Sequence, residues 1–415
     1  MGQNVKVAVI GGGASGVFAA ICAAESSSQA QVDIFEKSQS PLAKVRISGG
    51  GRCNVTHACF DPRELIDHYP RGSQELLGPF HKFCTGDTME WFEDRGVSLT
   101  VEADNRVFPV SNSSETIVDC LLDFAQRAGA TLSTKSGIKD LVSDPDGGFN
   151  LTLDSDEVVH YDNVLMAVGS SKRMWAIIAK LGHHIVKPVP SLFTFQLRDS
   201  RIKDLAGISL SQVRLTVPVA GLEAEGPLLI THVGLSGPAV LKLSAFGARW
   251  MAESDHQFTL FIDWLPEFTQ ESLLEELNTY RKLPQTNRKR VASNALFGLP
   301  LRLWKAFCDY AKVPPTANWS DLSKPMIRRL VGTLSESEFK VVGKNTFKEE
   351  FVTAGGVDLS EVDFRRMESR LVPGLFFAGE VLDIDAVTGG FNFQAAWTTG
   401  WLAGHAIVDM PIARS

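Results

Sequence analysis

The sequence predicts an α/β fold, a parallel-sheet domain split in the chain by an inserted β-rich piece and an inserted helical piece. Three observations predict it. The pattern Gly11-x-Gly13-x-x-Gly16 stands between an apolar run and a small-residue stretch. Beyond Pro188 and Pro190 the residues turn to alternating strands and then to helical patterns. The C-terminal part then returns to strand, glycine turn and helix. At 415 residues the chain is expected to hold two or three domains. With 44% hydrophobic and 21% charged residues, disorder, collagen and coiled coil are excluded.

Val5–Ile10 is a short apolar run of the kind buried on both faces of a parallel sheet. After the glycines, Ala14–Ala24 is rich in helix formers, and Gln31–Glu36 reads as a second strand. Residues 7–24 carry no charge, but their clustered glycines favour strand–turn–helix over a membrane span or signal peptide. A helix is predicted over 111–128, with Asn112 as N-cap and Glu115 completing a capping box. Short strands follow from 131 to 157 around the hairpin turn 144–148, and 161–170 is another buried strand ending in glycine. Strands dominate 191–263, and 267–331 is helical with breaks at Pro284, Pro300 and Pro314–Pro315. Near the C-terminus, 375–383 is a buried strand, Gly389 and Gly390 form a turn, and a helix begins at about Asn392.

Six cysteines (Cys22, Cys53, Cys59, Cys84, Cys120, Cys308) contain no C-x-x-C pair. That excludes a zinc ribbon and a C-x-x-C disulfide, so no metal site is expected. It also points to reduced thiols in a cytoplasmic protein without a membrane anchor.

Each glycine of the first turn has a physical task. Gly11 permits the tight turn, Gly13 lets backbone approach a pyrophosphate, and Gly16 lets the helix pack on the strand. The helix start, with Ala14 and Ser15, then offers N–H donors and a partial positive charge to the phosphates. Glu36, twenty residues past Gly16 and followed by Lys37, can accept hydrogen bonds from a ribose 2′-OH. Strand, turn, helix and acid together predict a dinucleotide.

The far end of the chain selects FAD over NAD. A NAD dehydrogenase needs no C-terminal return to the nucleotide domain. Here a strand ends in Gly379-Glu380, and the helix with Gly390, Asn392, Phe393 and Gln394 at its start can aim N–H groups at a flavin's N1/O2 edge. An ordinary terminal β–α unit is the alternative. Ile138, Ala167 and Gly169 complete the candidate cofactor contacts. No second G-x-G-x-x-G follows a strand, so NADH or NADPH would bind only transiently.

At these residues the chain resembles the BaiN/YhiN-like FAD flavoproteins, which include aminoacetone-oxidase-like members. The resemblance rests on KVRISGGGRCNVTH (44–57), RVFPVS (106–111), THVGLSGP (231–238), FVTAGGV (351–357) and FAGEVLDIDAVTGGFNFQAAWTTG (377–400). Two places depart from the family pattern: Lys44-Val45-Arg46 replaces a common Lys-Lys pair, and IDAVTGG replaces a common acid–glycine pair. The resemblance implies a FAD-binding Rossmann domain of the glutathione-reductase type, split by a β-barrel-like domain and a small helical domain. The expected boundaries are 1–190 and 345–415 for the FAD domain, 191–265 and 332–344 for the β-rich insert, and 266–331 for the helical insert. It also implies a flavin-dependent oxidoreductase. Family reactions include reduction of a ribosomal RNA uridine, reduction of a bile-acid enone and amine oxidation.

Lys44 and the loop Ser48, Gly49, Gly50, Gly51, Arg52, Cys53 and Asn54 are candidate flavin contacts, since its N–H groups can reach the ribityl chain or ring edge. Cys53 beside Arg52 is a candidate proton donor with a lowered thiol pKa; a small side chain filling space is the equal alternative. His57 and His232 are candidate acids, against which stands an ordinary structural histidine. The segment 234–238 is no hydrolase elbow, because Pro238 stands where the second glycine is needed.

Residues 281–329 hold eleven cations against Asp309 and Asp321, a net +9, so the rest of the chain carries −16 toward the total of −7. Such segregation is the footprint of a polyanion-binding patch. Trp304, Phe307, Tyr310 and Trp319 lie among the charges, either to stack on bases or to form the insert's own core. Of the reactions that the resemblance implies, the charge favours the one on RNA, an NAD(P)H-dependent reductase of a uridine with hydride passing from flavin N5 to a C=C bond. The alternatives are a small-molecule flavoenzyme (an ene-reductase or amine oxidase) and a flavin-containing RNA-binding protein without turnover.

Overall fold

The structure, a computed structural model, describes residues 5–345 and 352–409. Phe351, which opens the 351–357 motif, lies outside the described residues. The chain forms two compact units, one of Met1–Val189 with Val352–Ser415 and one of Pro190–Phe351.

The first unit is built on a seven-stranded sheet. Its order is Thr131–Ser133, Ala30–Phe35, Val5–Ile10, Asn163–Met166, Leu375–Phe377, Glu368–Ser369 and Val362–Asp363. The first five strands are parallel and the last two antiparallel. Val5–Ile10 lies in the middle, paired on both sides, which explains why Val7–Ile10 are all buried and apolar. The helix Ala14–Ser26 packs against the last helix, Phe391–Ile407, so the two ends of the chain share one core. A Cβ at Gly404 would lie 2.4 Å from the Ala19 carbonyl oxygen, and only glycine permits that approach.

The hairpin of Ile138–Ser143 and Phe149–Leu153 closes through Asp144 N donating to Gly148 O at 2.9 Å, where the turn was expected. The capping box at Asn112 does not form. The helix runs Ser114–Arg127 with Ser113 at its cap. Asn112 instead takes a left-handed φ of 53°, and Glu115 is drawn to Arg46. The C-terminal strand is shorter than predicted, Leu375–Phe377, because Gly379–Val381 coils into a 3-10 turn.

The second unit contains a closed six-stranded barrel of Thr194–Leu197, Gly234–Ser236, Leu222–Ile230, Ser209–Val217, Phe258–Asp263 and Ser337–Asn345. The sequence pattern missed the helices Pro238–Phe246 and Ala248–Glu253 within this stretch. Both are short, nine and six residues, so their period is hard to tell from that of a strand. Gln270–Tyr280, Leu301–Tyr310 and Lys324–Ser335 are the longer helices of the insert. They share one hydrophobic core with the barrel, in which Trp264 meets Phe307 at 5.1 Å and Phe339 at 6.0 Å. Among the described residues no helix is long and apolar enough to cross a membrane.

Candidate functional site

The first glycine turn has the form its sequence requires. Gly11 has φ +111°, and a Cβ there would lie 2.3 Å from the Ala167 carbonyl oxygen. A Cβ on Gly16 would come within 2.0 Å of the Gly11 oxygen, so helix and turn can only close on glycine. Nothing lies within 4 Å of a Cβ built on Gly13, which caps Ala14–Ser26 without a side-chain bond. The turn at the helix start is therefore open at Gly13, as the approach of a phosphate to a helix N-terminus requires. Glu36 stands beside this space: Oε2 accepts from Gly12 N at 2.9 Å and Oε1 from Ser38 N at 2.7 Å.

The C-terminal motif meets the first turn. Ser15 Oγ donates to the Ala378 oxygen at 3.2 Å, and Gly379 N donates to Thr399 Oγ1 at 3.0 Å. A Cβ on Gly379 would fall 2.5 Å from Ser15 Oγ. Glu380 carries an ion pair with Lys44 and accepts from Thr353 N at 3.3 Å. Gly169 lies beside that carboxylate, its Cβ position 3.8 Å from Oε2. Residues distant in sequence (Gly11, Ser15, Lys44, Ala167, Gly169, Gly379 and Glu380) are thus gathered at one end of the parallel strands, where open α/β sheets bind ligands.

The glycine loop breaks the helix in a conformation that glycine adopts without strain. Ser48, Gly49 and Gly50 leave helical geometry within Ala43–Gly51, and Gly49, Gly50 and Gly51 have φ of 57°, 70° and 86°. Gly50 and Gly51 have nothing within 4 Å of their Cβ positions, which leaves backbone open to an approaching ligand. Asn54 is buried and its Oδ1 has no hydrogen-bond partner. An acceptor so placed beside an open glycine loop fits a donor from a bound cofactor.

Cys53 departs from its expectation. The thiol is fully buried and packs in a core with Val17, Phe18 and Trp397. Burial pushes it up to about 12, with a Ser48 hydrogen bond acting the other way. Arg52 does not lower it, because that guanidinium pairs with Glu102 at 2.7 Å and lies 3.9 Å over the Phe108 ring. The expectation of a cation-lowered thiol is corrected on these grounds.

At the last helix, Asn392 and Gln394 are occupied within the protein. Asn392 clamps the N–H and oxygen of Ala386 at 3.0 and 3.1 Å. Gln394 accepts from the Thr56 and Thr88 hydroxyls and donates to Thr398. Both side chains fix the helix start after Gly390, leaving its backbone N–H groups as the donors toward a ligand. Phe393 stacks on Trp397 with ring centroids 5.6 Å apart. Ile138 is buried in its hairpin, and Lys37 is exposed beyond Glu36.

His57 Nδ1 lies 3.1 Å from the Gly389 oxygen, and its ring packs 4.4 Å from Phe391. Burial holds its pKa below the usual 6.5. His232 is exposed on the barrel loop before Gly234, in the other unit. Sequence reasoning missed Thr56, Thr353 and the buried pair of Arg71 with Asp385, which fixes the loop leading to Gly389. No local signal marks them, since their partners lie far along the chain.

The turn, the acid Glu36 and the open loop fit the two ends of FAD. The family model of the HI0933-like protein Rossmann domain matches residues 5–406. The chain is 28% identical over 422 residues to the 3-dehydro-bile acid delta(4,6)-reductase of Clostridium scindens, covering 98% of this chain and 100% of that one. It is 28% identical over 417 residues to the ribosomal RNA dihydrouridine synthase of Escherichia coli, covering 98% of each. Its fold is similar to that of the 3-ketosteroid-delta4-(5alpha)-dehydrogenase from Rhodococcus jostii, at 14% identity and a TM-score of 0.51, over 99% of this chain and 98% of that structure. With the match running from the first strand to the last helix, the chain belongs to the HI0933-like Rossmann-domain family of FAD-dependent oxidoreductases.

Proposed function

We propose that this protein is an NAD(P)H-dependent reductase of a uridine in RNA. The observation that carries the reading is the set of exposed, unpartnered cations in the helical insert. Of its eleven cations, Lys282, Arg288, Lys289, Arg290, Lys305, Lys312, Lys324 and Arg328 are exposed and make no ion pair or side-chain hydrogen bond among the described residues. Arg281, Arg302 and Arg329 are held only by backbone carbonyls. Unpaired cations at this density repel one another, and a phosphate backbone relieves that repulsion. A bile acid or small amine needs no such surface. The relative named a ribosomal RNA dihydrouridine synthase supports the same reading.

FAD, when bound, supplies two-electron hydride chemistry. The chain's own groups bind and orient it. The Gly11–Gly16 turn and helix start take the pyrophosphate, Glu36 takes the ribose, and the Ser48–Asn54 loop and Gly390 helix start meet the flavin end. Cys53 is left out as proton donor, because it exposes no surface to a substrate. The aromatic residues of the insert do not provide a stacking platform: Trp304, Phe307 and Trp319 are fully buried, and only Tyr310 presents its ring.

The test is NADH or NADPH oxidation by the purified protein with and without ribosomal RNA, with dihydrouridine read by mass spectrometry. RNA-dependent oxidation with new dihydrouridine is the expected result. RNA-independent reduction of a conjugated enone, or peroxide release with an amine, would replace this reading with a small-molecule flavoenzyme. The relative named a 3-dehydro-bile acid delta(4,6)-reductase makes the enone the first alternative to assay.

A further inference from the structure

The second unit contains a cavity of about 450 Å³ between the segment 197–206 and the loop 231–234. Its volume falls in the range of small-ligand pockets. Arg198, Lys203 and His232 line it, and all three are exposed with no hydrogen bond or ion pair among the described residues. Their isolation has a local cause. Asp199, the nearest acid in sequence, is taken by Arg201, which donates from Nε at 2.8 Å and from Nη2 at 2.7 Å. Asp204 is the remaining carboxylate of the lining, and its backbone oxygen accepts from Arg302, which brings another cation to the rim. Ser200 and Thr231 add hydroxyls.

We propose that this cavity binds the phosphate of a nucleotide, with Arg198 and Lys203 as its principal contacts and His232 as a third donor. A guanidinium and an ammonium facing one space, with Asp199 neutralised by Arg201 and hydroxyls beside them, suit a phosphate better than an uncharged sugar or sterol. The cavity is large enough to take more than the phosphate alone. Leu197, Ile202 and Ala206 give it an apolar wall against which a base or ribose can rest. It also adjoins the cationic insert within the same unit: Arg302 reaches Asp204, and Arg201 lies 4.3 Å over the Tyr310 ring. Two sources share this chemistry, an RNA phosphodiester and the phosphates of NADPH. The proposal goes beyond the RNA reading and does not require it.

Titration calorimetry of the FAD-loaded protein with NADPH, NADH and a short single-stranded RNA tests the site. The variants are Arg198→Ala with Lys203→Ala, and the charge-retaining Arg198→Lys with Lys203→Arg. Both positions are exposed, so FAD retention and the thermal midpoint should be unchanged, and they serve as folding controls. Loss of a charge-assisted contact should weaken the bound probe about 10- to 100-fold. The charge-retaining variant should recover most of that affinity. Weaker NADPH binding with RNA and NADH unaffected assigns the site to the 2′-phosphate of NADPH. Weaker RNA binding with NADPH unaffected assigns it to the RNA backbone. Unchanged affinity for every probe, or no binding of any probe by the unaltered protein, overturns the proposal. Failure of the RNA reading is separately visible as absent RNA binding by the unaltered protein, whatever the alanine variant does to NADPH.

Discussion

The Thr56 hydroxyl donates to Gln394 Oε1 at 2.6 Å, joining residues 338 positions apart in a fully buried contact. Thr88 donates to the same oxygen at 3.0 Å, and Gln394 Nε2 donates to Thr398 Oγ1 at 3.0 Å. One amide thereby fixes the strand that follows the Ser48–Asn54 loop to the first turn of the last helix. The two segments proposed to frame the flavin end are thus tied together by buried side-chain hydrogen bonds.

Replacing Gln394 with leucine should therefore act on stability and on FAD together. The Thr56 hydroxyl would lose its buried acceptor, at a cost of about 1–3 kcal/mol, while Thr88 keeps the Cys84 oxygen at 3.1 Å. A lower thermal midpoint and faster FAD loss on gel filtration are expected. If the midpoint drops while FAD is held as before, the contact supports the core without setting the site.

Glu36→Ala should weaken FAD retention more than it weakens the fold. The carboxylate holds Gly12 N and Ser38 N, so its loss removes the proposed ribose acceptor and loosens the turn. Fluorescence of FAD released on dilution measures the effect. Undiminished retention would remove Glu36 from the cofactor site.

Thiol labelling separates buried from accessible cysteines. Cys59 is half-exposed, whereas Cys22, Cys53 and Cys308 are buried; desolvation pushes all four thiols up, Cys59 to about 11 and Cys53 to about 12. In the native protein a maleimide should modify Cys59 first and Cys53 only after unfolding. Cys53→Ala should accordingly leave NAD(P)H-driven flavin reduction and substrate turnover close to those of the unaltered protein. Rapid native labelling at Cys53, or a turnover loss of the ~10²–10⁴-fold expected for a general acid, would return it to the chemistry.

His183 should make the first unit sensitive to acid. Its ring is enclosed, with Nδ1 2.8 Å from Glu361 Oε2 and Nε2 2.8 Å from Ser369 Oγ. Ser369 Oγ accepts from Leu371 N and Val372 N, so its own proton goes to Nε2 and the ring donates from Nδ1. Burial holds the pKa below the ordinary 6.5, against the opposing pull of Glu361. The unfolded chain then binds the proton more readily than the folded one. This contribution to stability is complete above about pH 6.5 and is lost as pH falls toward the lowered value. Thermal midpoints between pH 7.5 and 5 should fall less steeply for His183→Asn than for the unaltered protein. His57 and His256 are lowered in the same direction, so the variant should remove part of the slope. Parallel curves would assign the acid sensitivity elsewhere.

The parts of the fold legible in sequence are those fixed by local rules. Val5–Ile10, the glycine turn and Glu36 follow one another within forty residues, and each is demanded by sterics or by sheet burial. The hairpin at 144–148 is legible for the same reason. The Asn112 cap was misread because its competitors lie outside the local window: Asn112 N donates to Pro109 O, and Arg46 takes Glu115. Cys53 was misread because the loop's composition shows a neighbouring cation, while its burial is set by Phe18 and Trp397 from both ends of the chain. The roles of Thr56, Gln394, Arg71 and Asp385 appear only once those ends are brought together.

The proposed RNA substrate rests on the basic insert, and salt dependence tests it. If its exposed cations hold RNA phosphates, binding releases condensed counterions. Affinity for a single-stranded fragment should then fall with salt, at a log–log slope of about −0.7 per phosphate neutralised. Arg288, Lys289 and Arg290 are exposed on the loop whose backbone is tied to Asn318 and Trp319, so alanine there should spare the fold. The triple variant should bind RNA more weakly, with a slope shallower by up to about 2. FAD should be retained, because the glycine turn and Glu36 belong to the other unit. Flavin reduction by NAD(P)H alone should also survive, since that step involves no polyanion. RNA binding that ignores salt, or none in the unaltered protein, would leave the +9 surface without an RNA partner and transfer the reductase assignment to a small conjugated substrate.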